Sequence, residues 1–275
     1  MADFLIDQLK NLDSYNRLTE DIENKISPIA TYGIIDESMG HFLYALNNHT
    51  GKQILVITYN EMRSKKLYED IKGLGNQDVV LFPKREILFY DIDAYSHERI
   101  NERMEVITKL THGEDIIVIA SIEAILDKLM AKSIFDSYTV KINIGDEVDL
   151  DFLKEVLLGG GYEKVNMVEG KGQFSIRGGI LDFFPPYSSH PYRIEFFDIE
   201  VDSIRTFDPI SQKSIESLES TTVTPVMENL ILDEYRDAMI KNLEEDMKKA
   251  LSKGKKDSLG KENIEKKFNK YKEYL

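Results

Sequence analysis

Three short aliphatic runs restrict the fold more than any other feature of this chain: residues 53–58 (QILVIT), 78–82 (DVVLF) and 115–120 (DIIVIA). Runs so short and so rich in β-branched residues have the pattern of strands covered on both faces. Segments of helical period separate them, and strands alternating with helices point to a doubly wound parallel sheet. Asp36-Glu37-Ser38 can cap a helix through about residue 48, with Phe42, Leu43, Ala45 and Leu46 as its apolar stripe. Asn60 caps the next helix, where Met62, Leu67 and Ile71 fall near one face. A helix near residues 98–110 carries Ile100, Met104, Ile107 and Leu110, and Ser121 caps one bearing Ile122, Ile125, Leu126 and Leu129.

Near Tyr138 the pattern changes. Residues 140–144 alternate at period two, Asp149 caps a short helix, and Gly159-Gly160-Gly161 ends it. Closely spaced strands follow at 165–169, 173–177, 179–184, 192–197, 201–207 and 214–223, punctuated by Gly170, Gly172, Gly178-Gly179 and Pro185-Pro186. This is an antiparallel α+β module. From Asp233 a helical stripe returns (Leu243, Met247, Leu251), with a further apolar set at Ile264, Phe268, Tyr271 and Leu275; residues 252–260 read as a linker. The C-terminal helices have no sheet of their own. The expected organisation is therefore an α/β domain formed by residues 1–137 and 224–275, interrupted by an inserted module at 138–223.

Charge and composition narrow the function. The net charge is -14, which opposes a free-standing nucleic-acid binder. Residues 241–275 contain 11 Lys against 7 acids, a local +4 beside -18 for the rest, and their interleaving is that of a solvated helix. Without Cys there is no disulfide, thiolate site or cysteine nucleophile. With neither a signal sequence nor an apolar span of about 20 residues, the expected location is the cytoplasm. A phosphate-binding loop would need Gly-Lys-Ser/Thr, yet residues 32–41 read YGIIDESMGH, with two carboxylates where phosphates would approach. Five scattered histidines (41, 49, 97, 112 and 190) make no metal motif, and no GxSxG elbow is present. No catalytic residue, cofactor or metal is expected.

One surface pattern does carry an argument. In residues 192–197 (YRIEFF), strand alternation turns Ile194 and Phe196 inward and leaves Arg193, Glu195 and Phe197 on the other face. The same rule in residues 174–177 buries Phe174 and Ile176 and turns Arg177 outward. If the strands are neighbours, Arg177, Arg193 and Phe197 share one surface, with the composition of an interface hot spot. In the alternative, Phe197 tucks under the turn at Asp198 while the arginines bridge Glu195 and Asp182.

The strings that surround these residues carry a family likeness. Gly160-Gly161-Tyr162-Glu163, Val168-Glu169, residues 172–185 (GQFSIRGGILDFFP), 191–197 (PYRIEFF), 200–208 (EVDSIRTFD) and 211–214 (SQKS) resemble the start of the second domain of the bacterial transcription–repair coupling factors, the Mfd family. The first module agrees at Phe82-Pro83, Glu86, Tyr90-Asp91, Glu98, Arg103 and Leu110. The sequence departs from the family at Ile199 and Lys213. The likeness runs from about residue 33 to 226 and extends to the repair helicase UvrB, whose complete Walker A sequence has no counterpart here. The resemblance implies a degenerate, nucleotide-free P-loop-like sheet domain with an inserted module like the second domain of UvrB. It also implies an N-terminal fragment of a longer translocase, acting as an adaptor that recruits UvrA to stalled RNA polymerase. RNA polymerase and DNA would be met by domains elsewhere, and a C-terminal domain would mask the surface. By motif, the UvrA-contacting residues would be Arg177, Arg193 and Phe197. Two rival readings are an intramolecular clamp on the motor and an ATP-binding UvrB-like unit.

Overall fold

In the computed structural model, which describes residues 2–75, 78–85, 97–230 and 233–253 and positions 266, 268 and 269, the three aliphatic runs form one parallel sheet. Its strands are β1 (Ile54–Thr58), β2 (Val79–Phe82) and β3 (Ile117–Ser121), in the order β1-β3-β2. Register places Ile119 between Val56 and Leu81. One face buries Val79, Ile117 and Ile119 against Leu43 of α3 (Met39–Thr50) and Leu67 and Ile71 of α4 (Glu61–Gly73). The other buries Val80, Phe82, Val118 and Ala120 against Met104, Val106 and Ile107 of α5 (His97–Thr111), with Ala124 of α6 (Ile122–Ile125) and Phe135 of α7 (Lys132–Ser137). Two short helices, α1 (Ala2–Asp7) and α2 (Asp13–Glu23), precede them; Ile6 and Tyr15 pack on Ala45 of α3.

Several local signals act as expected. Asn60 Oδ1 accepts the Arg63 N–H at 2.8 Å and Ser121 Oγ accepts that of Ala124 at 3.3 Å, each relieving an orphan donor of a first turn. Other expectations are corrected. β1 is covered on one face only: Leu55 and Ile57 are 58% and 51% exposed, because β1 is an edge strand and α5 and α6 pack over β2 and β3. Met62 is exposed rather than part of the α4 stripe. Residues 36–38 form a 3-10 turn with no side-chain cap, and α3 starts at Met39. The helix after Ser121 is a single turn, so Ile122, Leu126 and Leu129 stay exposed while Ala124 meets the core. Glu86, Tyr90, Asp91 and residues 254–265 fall outside the described residues.

The second module contains β4 (Val140–Asn143), α8 (Leu150–Gly159) and a six-stranded sheet in the order β10-β9-β8-β7-β6-β5. Its strands are β5 (Glu163–Lys164), β6 (Gln173–Arg177), β7 (Ile180–Phe183), β8 (Tyr192–Phe197), β9 (Glu200–Phe207) and β10 (Ser214–Leu218). All neighbours are antiparallel except β5 and β6. Asp149 Oδ1 accepts the Asp151 N–H and caps α8, whose Leu153, Val156 and Leu157 pack on Phe174, Leu181, Phe183, Ile194 and Ile204. Two strand expectations are corrected. Residues 165–169 form a loop, whose Val165 and Val168 pack on Phe184 and Phe207. Residues 214–223 divide: β11 (Ser220–Val223) leaves the large sheet and pairs with β4. The chain forms two compact units, Met1–Glu228 and Asn229–Leu275; the second contains α9 (Asp233–Lys253).

Candidate protein-interaction site

The β6–β7 hairpin brings the two arginine strings together. Gly178 takes a φ of +60°, a conformation L side chains rarely adopt. At Gly179 an added Cβ would lie 2.8 Å from the Phe196 carbonyl oxygen of β8. The Gly178-Gly179 pair therefore permits both the turn and the close approach of β7 to β8. Register then sets the rows. Ser175, Asp182, Arg193 and Arg205 lie side by side across β6, β7, β8 and β9, and Arg177, Ile180, Glu195 and Ser203 form the next row. Phe174, Leu181 and Ile194 face the core, fully buried, and Ile176 and Phe196 pack partly buried against it.

The three singled-out residues fare differently. Phe197 is 79% exposed at the end of β8, opposite Glu200. It does not tuck under the turn, where Asp198 has a φ of +59°. Arg177 is 45% exposed and donates from Nη2 to Asp182 Oδ2 at 2.6 Å. Arg193 is only 13% exposed. Its fork grips the same carboxylate, Nε to Oδ1 at 2.6 Å and Nη2 to Oδ2 at 2.8 Å. Arg193 Nη2 also donates to Gln212 Oε1 at 3.0 Å, and the guanidinium lies 4.3 Å from the centre of the Phe207 ring. The expected outward surface thus exists, but Arg193 is built into it rather than standing free on it.

Asp182 is the hub, 1% exposed and hydrogen-bonded by both arginines. Its hydrogen bond raises the Arg193 pKa above the ordinary value. Beside it, Arg205 pairs with Glu195 and, with Ser203 Oγ at 3.0 Å, holds that carboxyl below its usual range against the opposing effect of burial. Part of the alternative reading holds: both arginines bond Asp182, whereas Glu195 pairs with Arg205 instead. Gln212, in the β9–β10 turn, belongs to the 211–214 string of the family likeness, but nothing in the sequence paired it with Arg193. It lies 19 positions from Arg193, and its own turn fixes it: Gln212 N–H donates to the Asp208 carbonyl at 2.8 Å and Nε2 to the Pro209 carbonyl at 2.8 Å.

No group of three or more His, Cys, Asp or Glu able to hold a metal ion occurs among the described residues. In the loop at residues 32–41, Asp36 pairs with Arg63 at 3.2 Å. Gly40 is buried inside α3, where an added Cβ would meet Asp70 Cβ of α4 at 3.1 Å. Its role is close helix packing. No helix of the described residues is long and apolar enough to cross a membrane.

Residues 140–228 match the UvrB interaction domain. Over 250 residues, 90% of this chain and 21% of the relative, the sequence is 34% identical to the transcription-repair-coupling factor of Bacillus subtilis (strain 168). It is 30% identical over 226 residues to that of Staphylococcus aureus (strain bovine RF122 / ET3-1), covering 82% of this chain and 18% of the relative. For Staphylococcus haemolyticus (strain JCSC1435) the identity is 30% over 200 residues, 72% of this chain and 17% of the relative. The chain spans about a fifth of the length of the curated relatives it matches.

Proposed function

Starting from a chain that carries a UvrB interaction domain and is similar, over 90% of its length, to the N-terminal region of transcription-repair-coupling factors, we propose that it serves transcription-coupled DNA repair as a UvrA-recruiting adaptor. The docking surface is the outer face of β8 and its neighbours, centred on Phe197 and flanked by Arg177 and Arg193. The observation that carries this reading is the pairing of a 79% exposed Phe197 with an ordered guanidinium cluster. A large aromatic ring left in water costs solvation in the free protein and returns it when a partner's pocket closes over it. Contacts to RNA polymerase and DNA fall to other regions of the longer protein, and the work is cytoplasmic.

The adaptor itself catalyses nothing and needs no nucleotide. Support comes from the loop at residues 32–41, which lacks the Gly-Lys-Ser/Thr that would hold phosphates, and from Asp36 at the entrance to α3. Return of the chain to the parallel-sheet domain after residue 223 belongs to the same reading, supported by Glu228, which bonds Arg103 of α5. The test is calorimetric titration of this chain with purified UvrA and, separately, with Mg·ATP. Saturable binding of UvrA that Phe197→Ala weakens is expected. Absence of UvrA binding, or saturable micromolar ATP binding, would overturn the proposal.

A further inference from the structure

A surface arginine normally loses side-chain entropy when a partner immobilises it. Here that entropy is already spent in the free chain. Asp182, 1% exposed, receives one bond from Arg177 and two from Arg193. It sits on β7, between β6 and β8, with both carboxylate oxygens engaged. Arg193 is fixed from two further directions, by Gln212 Oε1 and by the Phe207 ring. With Nε and Nη2 engaged, Nη1 of Arg193 has no recorded partner among the described residues; neither do Nε and Nη1 of Arg177.

We infer that Asp182 and Gln212 are positioning residues of the interaction surface, holding Arg177 and Arg193 with their free N–H groups aimed at carboxylates on the partner. The inference rests on the adaptor reading and adds the kind of partner surface it fits: an apolar pocket for Phe197, rimmed by carboxylates. Within the two rows, Arg177, Arg193 and Arg205 against Asp182 and Glu195 leave one positive charge in excess, on a chain whose net charge is -14, while Asp198 and Glu200 flank Phe197 at the end of the strand. Partner carboxylates meeting these pre-set N–H donors, Nη1 on Arg193 and Nε and Nη1 on Arg177, make charge-assisted bonds without ordering either arginine first. Neither positioning residue needs to touch the partner.

The experiment measures UvrA affinity and dissociation rate for the intact chain and for Asp182→Asn, Gln212→Ala, Arg193→Lys, Arg177→Ala and Phe197→Ala, with thermal midpoints. Asp182→Asn keeps the volume but turns an amide donor toward two donors, so a loss of roughly tenfold in affinity, mainly in dissociation rate, is expected. Gln212→Ala should lose about threefold with an unchanged midpoint. Arg193→Lys keeps the charge and loses the fork, and should weaken binding by about tenfold. A merely structural role for Asp182 would weaken binding equally in any background. A positioning role predicts that Asp182→Asn costs under about threefold once Arg177 is Ala and Arg193 is Lys, because the groups it orients are gone. Wild-type affinity in Gln212→Ala and Arg193→Lys, with Phe197→Ala impaired, overturns the inference and leaves the adaptor reading standing. If Asp182→Asn does not fold, those two variants carry the decision alone. If neither the intact chain nor Phe197→Ala binds UvrA, the adaptor reading fails. Positioning is then judged in the free chain by 15N relaxation at the arginine Nε. Slow, ordered Nε of Arg193 that becomes mobile in Gln212→Ala supports it, and mobility already present in the intact chain overturns it.

Discussion

Two carboxylates in this molecule are each held by two arginines, and they do opposite things. Glu228, which follows β11, is 5% exposed and is gripped by Arg103 and Arg85. Arg103, 1% exposed, donates from Nε and Nη2 to Glu228 at 2.5 and 2.8 Å. Its Nη1 donates to the Pro83 and Ala124 carbonyls, and its guanidinium lies 4.0 Å from the centre of the Phe82 ring. Those carbonyls stand just past the end of β2 and within α6, so the triad fills the carboxyl end of the parallel sheet. That is where ligands of open α/β sheets bind. Around Asp182, by contrast, Arg177 is 45% exposed and keeps unspent donors. The same chemistry becomes a lock where Arg103 is fully enclosed and Arg85 is 28% exposed and, on the adaptor reading, a presenting surface where Arg177 is 45% exposed.

Breaking the lock should have the largest effect. Glu228→Ala strands two guanidinium groups, one of them fully buried, and should cost about 3–5 kcal/mol of stability. For a domain of this size that lowers the thermal midpoint by about 10 °C. UvrA affinity of the folded protein should not change; a midpoint within 2 °C of the intact chain would remove the lock from the fold's support.

Next in size is Phe197→Ala, expected to weaken UvrA binding by about 30-fold to 1000-fold, or 2–4 kcal/mol, with stability held to about 0.5 kcal/mol. Phe196→Ala, one residue earlier and packed on the core, should reverse the pattern, costing about 2–4 kcal/mol of stability. Denaturant unfolding beside binding isotherms separates the two. Should Phe197→Ala melt the chain and spare binding, the face assignment is wrong.

The two site arginines should also part company. Sequence alternation treats Arg177 and Arg193 as equal surface residues whose removal leaves stability within about 0.5 kcal/mol. The structure corrects this for Arg193, whose loss leaves the buried Asp182 with a single bond, at about 2–3 kcal/mol. Arg177→Ala should cost under about 1 kcal/mol, because Arg193 keeps the carboxylate paired. Equal unfolding midpoints for the two variants would break the comparison.

The smallest effect lies in pH. Burial pushes the Glu228 carboxyl upward, but the bonds from Arg103 and Arg85 outweigh it and hold the group below its ordinary value. A depressed carboxylate contributes stability that is present above its unfolded pKa, roughly 4.3, and is lost as pH falls through the lower folded value. Stability should therefore drop on acidification below about pH 4, and Glu228→Gln should flatten that limb. An unchanged acid limb in Glu228→Gln would show that other carboxylates set it.

Much of this was legible in the chain because it depends on neighbours in sequence. The helix starts at Asn60, Ser121 and Asp149 bond as their residue types dictate, within three positions. The exchange of faces in residues 192–197 follows from the pleat, so Phe197 outside and Ile194 inside needed no tertiary knowledge. The loop at 165–169 and the division of β10 from β11 were not legible. A run such as 214–223 has the same local pattern whether it stays in one sheet or changes partner at Glu219.

By itself the sequence determined a parallel α/β unit, a mainly antiparallel module following it, and the parity that puts two arginines and a phenylalanine on one face. Tertiary structure alone decided which of the three is free. Parity says only that a side chain leaves the core. Whether it then meets water or a partner depends on residues brought in from elsewhere. For Arg193 those are Asp182 from the neighbouring strand, which the sequence offered only as one of two alternatives, and Gln212 from a turn and Phe207 from β9, which no local pattern reaches. Phe197, at the strand's end with no neighbour folded over it, kept the exposure its position promised.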